Sequence, residues 1–141
     1  MVGAVAYALL AVPLALLVLT RRFFSPQPVV VALQVLGVLI VVWARLTFGM
    51  RSFHVGSTAT QGGLVTTGPY RYVRHPIYAG VMLILAGVLV GHHDLVTLIA
   101  VGCVVAALGV RIVAEERSVL QAYPEYATYA HRTKRIIPWI F

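Results

Sequence analysis

Glu115 and Glu116 stand side by side, and they are two of only four acidic residues in a chain of 141. Arg111 precedes Glu115 by one helical turn, so on a helix the two share a face and can pair. That arginine falls inside an apolar block, where an ionisable group marks a functional site unless it is a snorkelling side chain with a satisfied partner. The second chemical cluster is GGLVTTGPYRYVRHPIYAG, from Gly62 to Gly80. Gly62, Gly63 and Gly68 let the backbone approach a ligand or turn sharply, and Gly68-Pro69 is a turn signal. Pro76 suits the first turn of a helix and leaves His75 on its N-cap side. A helix that starts there aims free N–H groups and its positive dipole end at a point beside Arg71 and Arg74, which makes an anion site. Tyr70, Tyr72 and Tyr78 can also be read as an interfacial aromatic belt, with the two arginines enforcing sidedness. That reading leaves unexplained why turn residues, aromatics, His75 and Pro76 converge on one helix start.

Helix N–H groups, glycine backbone, aromatic faces, an acidic pair and a deep arginine suit a ligand that carries both charges and a ring. S-adenosylmethionine has an adenine to stack, ribose hydroxyls and an ammonium for carboxylates, and a carboxylate for an anion site. Other nucleotide cofactors meet the same needs. Soluble nucleotide-binding motifs are missing: no G-x-G-x-x-G follows a strand, and there is no G-x-x-x-x-G-K-[ST], H-E-x-x-H or G-x-S-x-G. The one cysteine, Cys103, allows neither a disulfide framework nor a C-x-x-C metal site, and it reads as a buried thiol acting as a small hydrophobe. His92 and His93 have no carboxylate or cysteine set around them and read as solvated turn residues, so no metal is expected.

The elements that position these groups follow from composition. The chain is 60% hydrophobic and only 11% charged, far from the roughly one-quarter charge of a soluble domain. The apolar residues come in long blocks, which indicates one all-α polytopic membrane domain over residues 1–141. Spans are expected at about 1–19, 29–48, 75–91 and 95–114, with a cofactor loop at 49–76 and a tail at 115–141. The first block could be a signal peptide, but it lacks a positive n-region, and Arg21 and Arg22 follow it. The third is short: about 15 residues cover about 22 Å of a core of about 30 Å. It must thin the bilayer, lengthen into 72–76 or lie within the bundle. Leu120, Tyr123, Tyr126 and Tyr129 form a stripe suited to a helix along the interface, divided at Pro124.

Net charge is +7. In a soluble chain that would suggest nucleic acid; here it sets topology, with a bilayer and a lipophilic substrate as the partners. Arg45, Arg51, Arg71 and Arg74 fall on the side of Arg117, Arg132, Lys134 and Arg135, opposite Arg21 and Arg22. The positive-inside rule places both termini and the polar loop in the cytoplasm, at the cell's inner membrane. Arg74 and Arg111 belong to the site as well.

The run from Leu64 to Gly80, then Arg111 with Glu115-Glu116, then Tyr126, Tyr129 and Arg135-Ile136-Ile137-Pro138, resembles the isoprenylcysteine carboxyl methyltransferase family over about residues 45–141. The resemblance implies an integral membrane methyltransferase that uses S-adenosylmethionine. Carried across by position, Gly62, Gly63, Leu64, Val65, Tyr70, His75, Pro76, Ile77 and Tyr78 would contact the cofactor. The acidic pair Glu115 and Glu116 would meet it from the other side, and Arg111 would face the substrate's carboxylate. Members that act on prenylated protein termini have more spans, so the acceptor stays open among a prenylcysteine, a small lipophilic acid, a thiol and a phospholipid amine. For an amine or thiol, Glu116 or Tyr129 would be the proton acceptors. Similar motifs occur in NADPH-dependent membrane reductases, where Asn would be expected in place of Ile77. A non-enzymatic membrane subunit on the same scaffold is the remaining alternative.

Overall fold

The computed structural model describes residues 2–49 and 63–138. Five helices account for it: α1 (Val2–Leu19), α2 (Pro28–Phe48), α3 (Pro76–Gly91), α4 (Leu95–Ala122) and α5 (Tyr126–Arg132), with a 3-10 turn at Gly68–Arg71. Among the described residues there is no strand, only one isolated parallel bridge between Val73 and Lys134.

Helix boundaries follow local chemistry. Pro28 and Pro76 open α2 and α3, where a missing N–H costs nothing. Asp94 caps α4 by accepting from the N–H groups of Val96 and Thr97 at 3.0 and 3.2 Å, and from the Thr97 hydroxyl at 2.8 Å. Pro124 follows the end of α4 and separates it from α5, as the sequence anticipates. α4 itself runs on to Ala122, so Glu115 and Glu116 lie within a continuous helix.

The helices pack in two pairs, α2 on α3 and α1 on α4, joined where α3 meets α4. Leu17 of α1, Leu85 and Val88 of α3, and Ala100, Val101, Val104 and Leu108 of α4 form the buried core. The α2–α3 seam depends on glycine. A Cβ on Gly37 would fall 2.5 Å from the Gly80 carbonyl, and one on Gly80 would fall 2.5 Å from the Gly37 carbonyl. Such backbone approach is the usual means of packing apolar helices when no hydrophobic force drives them together.

The outer surface is apolar in turn: Val35, Leu39, Val42 and Trp43 of α2, and Leu98, Ile99 and Val110 of α4, are exposed. α2 and α4 are long and apolar enough to cross a membrane, while Leu10–Leu19 and α3 are shorter apolar helices. Cys103 corrects the sequence reading: it is exposed on the outer face of α4, between the buried Val101 and Val104.

At one end of the bundle the α1–α2 loop meets the α3–α4 turn. Arg22 Nε donates to Asp94 Oδ2 at 3.0 Å, and His92 Nε2 lies 3.2 Å from the Phe24 carbonyl. Residues 63–75 before α3, the end of α4 and residues 126–138 gather at the other end.

Candidate functional site

The buried stripe of α4 carries the site. Val104, Leu108 and Ile112 lie on its packed face, and helical periodicity turns Arg111 and Glu115 toward α3 at the same edge. Arg111 and Glu115 pair at 3.4 Å. Tyr78, one turn into α3 by its spacing from His75, links both: its hydroxyl donates to Glu115 Oε1 at 2.6 Å and accepts from Arg111 Nε at 3.3 Å. His75 stands at the N-cap of α3 and makes no side-chain cap bond. Its ring stacks on Tyr78, with centroids 5.5 Å apart and 19° between planes. The imidazole lies between the two acids, Nδ1 at 3.7 Å from Glu115 and Nε2 at 3.4 Å from Glu116.

Glu116 faces a different set of groups. Arg74 Nε donates to Oε1 at 2.9 Å, and Arg135 presents Nε and a terminal nitrogen to Oε2 at 3.1 and 3.0 Å. The other arm of Arg74 donates to the carbonyls of Ala130 and Thr133. Backbone bonds complete the junction: Arg74 N–H donates to the Lys134 carbonyl at 2.7 Å and His75 N–H to the Arg135 carbonyl at 2.9 Å.

The loop before α3 is held from several sides. Gly68 has a φ of 57°, and a Cβ there would fall 2.6 Å from Thr47 Oγ1, so the position requires glycine twice over. Tyr70 is buried against Phe48, ring centroids 5.7 Å apart. Tyr129 donates its hydroxyl to the Tyr70 carbonyl at 2.6 Å. Burial pushes the Tyr129 phenol up to about 12, and burial likewise raises Tyr70 and Tyr126. The Tyr129 hydroxyl is engaged as a donor to the Tyr70 carbonyl. The aromatic stripe differs from expectation through the same burial: Tyr126 is buried and Tyr129 half-buried, so both turn inward, and Leu120 is the member left exposed.

Arg111, Glu115, Tyr78, His75 and Glu116 therefore converge as side chains. Pro76 is fully buried and serves the helix start. Ile77 is half-buried beside it, and Leu64 and Val65 are half-buried upstream. Gly63 is exposed, and its N–H donates to the Tyr123 hydroxyl at 3.4 Å. Gly62 lies outside the described residues. The tail carbonyls of Ala130 and Thr133 carry no sequence signal, since any residue supplies a carbonyl. Among the described residues no group of three or more His, Cys, Asp or Glu is placed to hold a metal ion. An apolar groove lined by Phe24, Val31, Gln34, Val35, Val38 and Leu39 lies at the other end of α2.

Residues 27–126, which include α2, α3, the Tyr78–Arg111–Glu115 contact and all of α4, match the phospholipid methyltransferase family. The chain belongs to that family. Phospholipid methyltransferase family members are membrane methyltransferases, and the family lies in the same superfamily as the isoprenylcysteine carboxyl methyltransferases. The cobalt-zinc-cadmium resistance protein CzcN of Cupriavidus metallidurans is 30% identical over 113 residues, which are 79% of this chain and 50% of that protein. The chain thus spans about half the length of this curated relative. No solved structure matches.

Proposed function

We propose that the chain is an S-adenosylmethionine-dependent methyltransferase that crosses the membrane four times, with termini and site in the cytoplasm, and that it methylates a lipophilic carboxylate. The observation that carries this reading is the meeting of a carboxylate, an arginine and an uncapped helix N-terminus at Glu115, Arg111 and His75. The residues present fit the cofactor's chemistry. Glu115 has the charge for an ammonium or ribose hydroxyls, and the start of α3 offers N–H groups to a carboxylate. The His75–Tyr78 stack presents an aromatic edge.

The bound cofactor would supply an electrophilic methyl on a sulfonium. The chain's part is to hold the two reactants close and exclude water. A carboxylate acceptor is ionised at neutral pH, so no general base is needed. Arg111 would orient that acceptor by a two-pronged contact, and Tyr78 would keep Arg111 and Glu115 in register.

The test is transfer of a labelled methyl group from S-adenosylmethionine into a lipid extract, with identification of the product. A base-labile methyl ester is expected. An N-methyl product would overturn the carboxylate assignment, and calorimetric binding of NADPH in place of S-adenosylmethionine would overturn the reaction class. Arg111→Ala is expected to abolish transfer and largely spare cofactor binding, whereas Glu115→Ala and His75→Ala weaken cofactor binding itself.

A further inference from the structure

Two adjacent glutamates need not share a task. A carboxylate has about four lone-pair positions. Those of Glu116 are used: Arg74 and His75 face Oε1, at 2.9 and 3.4 Å, and Arg135 meets Oε2 through two nitrogens, at 3.1 and 3.0 Å, its Nε also reaching Oε1 at 3.3 Å. Glu115 is less engaged. Tyr78 and Arg111 take its Oε1, while among the described residues Oε2 faces His75 Nδ1 at 3.7 Å, beyond hydrogen-bond length. Glu115 is also the more open of the two, 26% exposed against 15%.

The partners of Glu116 come from two separate segments. Arg74 belongs to the loop that leads into α3, and Arg135 to the segment after α5. Arg74 also reaches Ala130 and Thr133, and the parallel pairing of Val73 with Lys134 runs alongside. The Arg74–Glu116 pair, with both side chains largely buried, is a rigid junction when every acceptor is filled, and the more exposed Arg135 closes it from the solvent side.

We propose that Glu116 is a positioning residue: with Arg74 and Arg135 it pins the segment after α5 against the loop before α3, and so fixes His75 and leaves Glu115 as the carboxylate that meets the ligand. The proposal rests on the cofactor reading for its second half only. Its first half, the docking of the tail, stands independently.

Glu116→Ala, Glu116→Gln and Glu115→Gln, each in detergent-solubilised full-length chain, separate the roles. Tail docking is read by tryptic release of the fragments that follow the exposed Arg132 and Lys134. Cofactor affinity is read by equilibrium dialysis with labelled S-adenosylmethionine. For Glu116→Ala, release should quicken at least tenfold and the dissociation constant should rise about tenfold, with the kinetic loss in KM and not in kcat. Glu116→Gln, which still accepts hydrogen bonds, should fall between it and wild type. Glu115→Gln should lose affinity while its tail stays as protected as wild type.

A covalent staple supplies the decisive arm. Val73→Cys with Lys134→Cys joins the two bridged positions, and in a Cys103→Ser, Glu116→Ala background its oxidised form, compared with the same variant reduced, should slow cleavage after Arg132 and restore affinity. Restored protection without restored affinity would show that Glu116 meets the ligand itself and overturn the proposal. Unchanged tryptic release in Glu116→Ala would overturn the docking role outright. Wild type that binds no S-adenosylmethionine would sink the cofactor reading, while the proteolysis arm would still decide the pin.

Discussion

At the residue scale, the Tyr78 hydroxyl is the smallest change that tests the site. It joins Glu115 at 2.6 Å to Arg111 at 3.3 Å, and Phe would remove both bonds without altering the ring stack on His75. Hydrogen bonds to charged groups contribute about 1.5–3 kcal/mol, and the partial exposure here favours the lower figure. Tyr78→Phe should therefore reduce kcat/KM for methyl transfer by about tenfold; unchanged kinetics would remove Tyr78 from the site. The Arg111–Glu115 pair was legible from their one-turn spacing, and His75–Pro76 as a helix start from proline's missing N–H. Glu116's partners were not, because Arg74 and Arg135 reach it through tertiary folding that no local spacing encodes. Asp94 offers a second test at this scale. The Thr97 hydroxyl, with Arg22 and backbone N–H groups, holds its carboxyl well below the usual range. A depressed folded value stabilises the fold above the unfolded value of about 3.9 and is lost as pH falls below it. Thermal stability of wild type should thus fall more steeply between pH 5 and pH 3 than that of Asp94→Asn, which has no charge to lose.

The elements themselves carry a different kind of information. Gly80, Gly87 and Gly91 lie along the face of α3 that meets α2 or the loop before it: a Cβ on Gly87 would press on Gln34 and the Val30 carbonyl, and one on Gly91 on Ser25. A Cβ on Gly102 or Gly109 of α4 would have no neighbour within 4 Å among the described residues. Glycine in an apolar helix looks the same in either case, so the sequence could not say which ones set a helix crossing. Cys103 shows the same limit. Lipid-facing and core positions are equally apolar in a membrane chain, and hydropathy cannot tell an exposed thiol from a buried one. Gly37→Ala or Gly80→Ala should destabilise by about 1–3 kcal/mol through overpacking, and should also lower activity because α3 carries His75 and Tyr78. Gly109→Ala should be neutral or stabilising by up to about 1 kcal/mol. Thermal melts in one detergent compare the three, and equal effects would contradict the packing of α2 on α3.

Over the whole molecule, the two polar ends differ in both charge and chemistry. One holds Arg22, His92 and the Asp94 cap; the other holds Arg71, Arg74, Arg117, Arg132, Lys134 and Arg135 with the site between α3 and α4. Under the proposed function, a cytoplasmic methyl donor and the positive-inside rule call for the same end to face inward. If so, topology and catalysis are served by one distribution of charge, and reversing the first would disable the second. Cysteine labelling in intact cells tests the sidedness. In a Cys103→Ser background, His93→Cys at the α3–α4 turn should react with a membrane-impermeant maleimide added outside, whereas Thr128→Cys on the exposed side of α5 should react only after the membrane is opened. The opposite pattern would place the site outside, where no cytoplasmic cofactor reaches it, and would exclude the proposed reaction whatever the geometry of Glu115 and Arg111.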